Sequence, residues 1–363
     1  MILMNPVVIS VIVMIALCLL NLNIVLALLI AALVAGLSAG MNISDTMGTL
    51  ISGMGGNAET ALAYFLLGTF AVAIGQTGIA SIACKKIAKV VKGRKYILLY
   101  ILVVIACMSQ NLVPVHIAFI PILIPPLLLL FNELKMDRRA AACALTFGLK
   151  APYIALPVGF GLIFHGIVSS EMGRNGMEIA KAGVFHYTWI IGAGMIAGLL
   201  IALHISYRKP RIYENKPIIG ANMDLPEEKF TRTHVLAFLA IIVAFAAQLM
   251  TGSLPLGALA AIIVMILTRT IEWKDIDSTF MGGLEIMGLI AFVMLIAAGY
   301  GNVLRETKSV DTLVSSVVGV VGGSRFWGAF LMLAVGLLVT MGIGTSFGTI
   351  PVIAAIYCPL AAQ

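Results

Sequence analysis

Long apolar runs interrupted by short polar clusters extend along the whole 363-residue chain. Read at helical period, they place helices over 6–20, 24–40 and 59–75, and a short one over 79–92. An apolar stretch at 96–131 follows, then 138–165, interrupted by Pro and Gly, and then 185–206. A polar loop, 207–233, divides the chain. Beyond it come 234–250, 254–267, 285–301, a short helix at 303–321 and a last apolar stretch from Phe326 onwards. Several runs reach the roughly 20 residues a helix needs to cross a bilayer. The short alternating segments of a membrane β-barrel are absent. The pattern is that of an all-α polytopic membrane protein. The first run lacks the positive flank and small-residue cleavage site of a signal peptide, so it reads as a retained helix.

The stretch 96–131 departs from the simple pattern. Its 36 residues are too many for one span and too few for two spans and a turn. Within it, SQNLVPVH (109–116) sets hydrogen-bonding side chains among apolar ones, which is costly in hydrocarbon unless something uses them. An α-helix over 96–108 covers about 20 Å, short of the hydrocarbon core of about 30 Å. A re-entrant hairpin over 95–132 accommodates this, turning at 109–113. Pro114 then sits at the first helical position of the return arm, where its missing N–H costs nothing. The alternative is a pair of tightly packed short helices. Backbone unwound at that depth must be buried in protein or line a wet cavity.

Composition adds little to the class: 61% of residues are apolar and 11% charged, far from soluble proportions. The placing of charge is more useful. Lys85, Lys86, Lys89, Lys92, Arg94 and Lys95 precede the hairpin, and Lys135, Arg138 and Arg139 follow it. The loop 207–233 carries Arg208, Lys209, Arg211, Lys216, Lys229 and Arg232, whereas 42–57 has neither Lys nor Arg. By the positive-inside rule the basic segments are cytoplasmic, 42–57 is external, and the N-terminus lies outside. Basic residues so placed face lipid, not nucleic acid. The five cysteines lie singly with no CxxC and read as small core hydrophobes.

The second half repeats the first. IGQTGIASIACKKIAKVVKGRKY (74–96) aligns with LRETKSVDTLVSSVVGVVGGSRF (304–326), matching Thr77 with Thr307 and Gly93 with Gly323. ISDTMGTLISGMGG (43–56) corresponds to IDSTFMGGL (276–284), each followed by a helix opening on Glu59 or Glu285, and PVHIAFIPIL (114–123) to PVIAAIYCPL (351–360). A first unit, 1–206, holds the hairpin at 95–132 and a broken transmembrane helix at 138–165. A cytoplasmic linker at 207–233 leads to a second unit, 234–363, with a hairpin at 325–361. An odd number of spans in the first unit inserts the second upside down, opposing the hairpins as in secondary transporters. The second unit ends before any partner of the broken helix, so the C-terminus reads as truncated.

SQNLVPVHIAFIPILIPP, DRRAAACALTFGLKAPYIALPVGFG and MNPVVISVIVMIAL resemble the bacterial sodium/proton antiporter-like family that includes YuiF-related amino acid transporters, within the ion transporter superfamily. The resemblance runs over essentially the whole chain. It implies a secondary carrier of the bacterial inner membrane, two opposed hairpins, elevator-type movement, and a homodimer. It further implies hairpin tips that bind sodium and a substrate carboxylate. Ser109 and Asn111 sit where that motif falls in the first tip, with Gln110 between them. Thr345, Ser346 and Thr349 occupy the second.

The chemistry of the residues agrees. A half-helix beginning at Pro114 or Pro351 presents free N–H groups and about half a positive charge to a carboxylate. Unwound tips and the break at PVGFG (157–161), with Gly159 and Gly161, free backbone carbonyls suited to Na⁺. Ser109, Asn111, Thr345 and Ser346 can add side-chain oxygens; for Ser109 and Asn111 the other reading is capping and hairpin packing. Lys150 lies inside a span just before Pro152. It either pairs with a substrate carboxylate, replaces a cation or carries a proton, or it simply bonds carbonyls freed by the proline. His116 is a proton relay or a structural histidine. Glu59 opens a helix, where a carboxylate suits the dipole, and is otherwise a candidate proton carrier.

These residues point to a carrier of an amino acid or similar small carboxylate, coupled to Na⁺ or H⁺, with no other cofactor. A Na⁺/H⁺ antiporter is the alternative, weakened by the lack of an Asp–Asp pair. Charge rings or a repeated filter for a channel, and a nucleophile–base or metal constellation for an enzyme, are not seen.

Overall fold

The computed structural model describes residues 4–78, 94–111, 130–214, 231–310, 324–343 and 346–361, with positions 124, 127–128, 312–313 and 315–316. Everything below refers to these residues, which are helical with no strand. The helices are α1 (Pro6–Leu19), α2 (Ile24–Ser38), α3 (Ile43–Met54), α4 (Ala58–Gln76), α5 (Lys95–Asn111), α6 (Arg138–Ala155), α7 (Phe160–Arg174), α8 (Lys181–Ile201), α9 (Arg232–Thr251), α10 (Leu254–Leu267), α11 (Ile276–Glu306), α12 (Arg325–Ile343) and α13 (Ser346–Ala361).

Polar residues mark where the first apolar runs begin. Asn5, Asn23 and Asn42 each precede a helix, and each side chain accepts a hydrogen bond from a first-turn N–H. Four continuous stretches are long and apolar enough to cross a membrane: Ile43–Gln76, Lys181–Ser206, Arg232–Thr251 and Trp273–Glu306. The pair α6–α7 makes a fifth if its two parts form one span bent by 48°.

Several boundaries differ from the expected ones. The segment expected as an external loop, 42–57, is α3, joined to α4 through a 3₁₀ turn at Gly55–Asn57. The two glycines tighten the helix there without ending it. The broken helix runs on to Arg174, past the expected end at 165. The long helix α11 extends from Ile276 to Glu306, absorbing the start of the expected short helix at 303–321. Lys308, at φ +52°, follows its end. Ser109–Asn111 form the last turn of α5 instead of an unwound tip. Pro351 lies inside α13, which starts five residues earlier at Ser346. The segment 79–92, the rest of the first hairpin tip at 112–123, and most of the linker fall outside the described residues.

The chain forms two compact units. The first comprises Met1–Leu62, Gly166–Val184 and Leu289–Gln363. Its core joins Val7, Val11 and Met14 of α1, Leu28, Ala31 and Ala35 of α2, Tyr300 of α11 and Val352 of α13. The alanine stripe on α2 permits close helix approach, the usual means of packing where burial against lipid offers no hydrophobic gain. Gly36 continues that stripe: a Cβ there would fall 2.2 Å from the Thr46 hydroxyl oxygen. Two polar ties join helices in this unit, the first of them buried. Ser10 and Tyr300 share a hydrogen bond of 2.8 Å, and Asn5 donates to the Ser309 carbonyl at 2.8 Å.

The second unit comprises Ala63–His165 and Phe185–Gly288. Leu98, Leu99 and Leu102 of α5 bury against Ala140, Ala141 and Ala144 of α6, with Leu199 and Leu203 alongside. Gly148 lets the two backbones meet, since a Cβ would come 2.8 Å from the Val103 carbonyl oxygen. One end of this unit gathers basic residues. Lys95 donates to the Arg208 carbonyl at 2.7 Å, and the Arg211 N–H to that of Lys135 at 2.8 Å. Arg138 lies over the Tyr213 ring and Arg139 over that of Tyr207.

The two longest helical stretches run antiparallel wherever they meet. In the first unit Asn302 donates to the Thr49 carbonyl and Asn57 to that of Met294. There a Cβ on Gly53 would come 3.0 Å from the Gly299 Cα. In the second unit a Cβ on Gly283 would lie 2.4 Å from the Thr69 nitrogen. Gly283 lies 230 positions after Gly53, and Gly299 230 after Thr69, the spacing that also relates Thr77 to Thr307. Thr46 and Thr279, 233 positions apart, are both fully buried, each donating to the carbonyl four residues earlier.

Candidate functional site

The broken helix is built by LPVGF. Pro157 cannot continue the ladder, and Gly159 adopts φ +61°, so α6 stops at Ala155 and α7 restarts at Phe160. Such a break leaves backbone carbonyls needing partners in an apolar interior. Two polar side chains supply them. His165, wholly buried, reaches back across the break with Nε2 2.9 Å from the Ile154 carbonyl oxygen. Gln248 of α9, 3% exposed, donates through Nε2 to the Gly159 carbonyl at 2.9 Å.

Aromatic rings close around the break. Phe160 meets Tyr64 edge-on at 5.4 Å between centroids, and Tyr153 meets Phe164 at 5.5 Å. Gly161 has no room for a side chain, since a Cβ would fall 1.8 Å from the Leu156 carbonyl oxygen. The break is therefore a packed and hydrogen-bonded feature of the second unit.

The expected site residues fall as follows. Gly159 and Gly161 are buried at the break. Lys150 is exposed, with its ammonium 5.7 Å from the centre of the Tyr153 ring. Ser109, Gln110 and Asn111 belong to the last turn of α5 in the second unit, and only their backbone is described. In the first unit Thr349 is 2% exposed in the first turn of α13, Ser346 begins that helix, and Glu59 is exposed at the start of α4. His116 and Thr345 lie outside the described residues. Among those residues no three His, Cys, Asp or Glu side chains gather as a metal site. The apolar cavity of the first unit, lined by residues such as Val7, Val11, Val335 and Ile356, offers a carboxylate little.

Sequence reasoning missed two features. His165, at the expected end of the broken helix, is wholly buried at the break. Glu171 lies six residues past the expected end of the broken helix at 165. Its side chain is fully buried in the first unit, bonded by Arg174 at 2.8 Å and approached by Arg305 of α11 at 3.5 Å. Arg305 also donates to Asn302 at 3.2 Å. The i,i+3 spacing of Glu171 and Arg174 in SSEMGR was the signal available.

Two family models match the chain, both described as the Na⁺/H⁺ antiporter family, over residues 144–363 and 5–91. An uncharacterized membrane protein of Vibrio parahaemolyticus is 47% identical, over 98% of this chain and 83% of its own length. YuiF of Bacillus subtilis, provisionally named an amino acid transporter, is 45% identical over 99% of this chain and 84% of its own. An uncharacterized membrane protein of Haemophilus influenzae is 44% identical, over 98% and 83%. With these matches spanning nearly its whole length, the chain belongs to the Na⁺/H⁺ antiporter family and is a multi-pass membrane transporter.

Proposed function

We propose that the chain moves an amino acid or similar small carboxylate by secondary active transport, coupled to Na⁺ or H⁺. The observation that carries this reading is the α6–α7 break, because discontinuous helices are where such carriers place their substrates and ions. The likeness to YuiF supports an amino acid as the substrate. The paired glycine contacts 230 positions apart support an inverted repeat. With it come opposed hairpins at 95–132 and 325–361, one carrying Ser109 and Asn111 and the other Thr345, Ser346 and Thr349. In this reading Na⁺ takes oxygens from those residues, and Lys150 meets the substrate carboxylate. Gly159 and Gly161 supply the backbone kink.

The basic end of the second unit supports a cytoplasmic placing of that end, and hence an external N-terminus in a bacterial inner membrane. The alternative, Na⁺/H⁺ exchange, is favoured by the family's name and by a buried carboxylate at Glu171.

Uptake of labelled amino acids into proteoliposomes, under imposed Na⁺ or H⁺ gradients, tests the reading. Gradient-driven accumulation of an amino acid is expected. No amino acid uptake, together with Na⁺-induced collapse of a pH gradient, would replace this reading with the antiporter.

A further inference from the structure

Glu171 is 0% exposed on α7, and its two cationic partners differ in kind. Arg174 is one turn away on α7, so it moves with Glu171, at 2.8 Å. Arg305 belongs to α11 and stands at 3.5 Å, longer than the roughly 2.7–2.9 Å of a tight charged bond. It divides its guanidinium between Glu171 and the Asn302 side chain, which in turn is tied to the Thr49 carbonyl of α3. Gly56 makes room for Arg174, since a Cβ would overlap its guanidinium at 2.1 Å.

The other titratable groups nearby are few. Cys358 of α13 lies within electrostatic reach of Glu171, and the exposed Glu306 lies beside Arg305. A small separation of α11 from α7 would leave Arg174 in place and remove one of two countercharges from a carboxylate with no access to water. A buried carboxylate that loses a countercharge binds a proton more readily.

We propose that Glu171 is a proton-binding residue of this transporter, and that the approach or withdrawal of Arg305 sets its hold on the proton. Proton affinity is thereby tied to helix position, as a coupled carrier requires. Withdrawal of Arg305 admits the water from which a carboxylate oxygen takes the proton, and the proton returns to that water before Arg305 closes again. Only the consequence for flux rests on the transporter reading; the binding itself does not.

Infrared difference spectroscopy of the full chain in liposomes, titrated with acid, reads this directly. A carboxyl C=O band should appear on acidification, be absent in Glu171→Gln, and persist in Glu272→Gln, whose carboxylate is on the surface. Arg305→Gln should move its appearance to higher pH by roughly 1–3 units, whereas Arg305→Lys should stay near wild type. The Arg305 pair decides the matter even if Glu171→Gln fails to fold. Spectra that titrate alike in wild type, Glu171→Gln and Arg305→Gln overturn the proposal. A chain that shows the Glu171 band but carries neither amino acid nor Na⁺ removes the transport reading alone. A chain that transports without the band removes this one alone.

Discussion

Gln248 on α9 donates to the carbonyl of Gly159, 89 positions earlier, at 2.9 Å, in the interior of the second unit. The bond satisfies an acceptor that the helix break exposes, and it fixes α9 against the break. Interhelical hydrogen bonds in membrane bundles contribute about 0.6 kcal/mol on average and up to about 1.7. An unpartnered buried carbonyl raises the cost of losing one. Gln248→Leu, similar in size, is therefore expected to destabilise the protein by about 1–2 kcal/mol. Thermal unfolding in detergent checks it; an unchanged midpoint would mean that the Gly159 carbonyl finds another partner.

Gly161 and Gly194 make opposite predictions for the same substitution. A Cβ on Gly161 meets backbone oxygen at 1.8 Å, which cannot yield without moving the break. Gly161→Ala should cost about 1–3 kcal/mol or more. At Gly194, exposed on α8, nothing lies within 4 Å of a Cβ. Gly194→Ala should be neutral or stabilise by up to about 1 kcal/mol through helix propensity. The paired melting temperatures separate a packing glycine from an incidental one.

These residues also show what could be read in advance. The helices α1 and α2 announce themselves by an asparagine followed by a largely apolar run, because local capping and periodicity suffice to define them. The break was legible in Pro157 and Gly159, whose backbone restrictions act wherever they stand. The continuity of α3 into α4 was not, because glycines at 55 and 56 resemble a stop unless the helix across from them is known. Gln248 resembles any polar residue near a helix end until Gly159 is brought beside it. Glu171 depends on Arg305, 134 positions later, and no local pattern reports that distance. The hairpin tips, where most expected ligands fall, depend wholly on tertiary placement.

Asp137 carries a pH signature at the basic end. Its carboxylate caps α6 through the Arg139 N–H and also pairs with the Arg139 side chain at 2.7 Å. Hydrogen bonding from Arg139 holds its carboxyl below the usual carboxylate range. A depressed folded value means that the stabilisation is fully present above the unfolded value, about 3.9. It is lost as pH falls through the lower folded value. Wild type should therefore be more stable than Asp137→Asn near neutrality, and the two should converge in strong acid. Unfolding midpoints compared from neutral pH down to about pH 3 test the sign; a gap that widens toward acid would contradict it.

Thr349 and Lys150 each test the proposed role in substrate transport. Thr349 is buried in the first turn of α13, where a hydroxyl can serve a bound ion or ligand at a helix start. Thr349→Val keeps the shape and removes only the oxygen, so a ligating role predicts at least a roughly tenfold loss of amino acid uptake, equivalent to about 1.4 kcal/mol. Thr349→Ser keeps the oxygen and should retain most of it, without moving the melting temperature far. For Lys150, exposed beside the Tyr153 ring, Lys150→Ala should abolish uptake if the ammonium receives the substrate carboxylate. Lys150→Arg, which keeps the charge but alters its geometry, should weaken uptake less. Normal uptake by both Lys150→Ala and Thr349→Val would remove these residues from the site and direct the search to the Glu171 cluster.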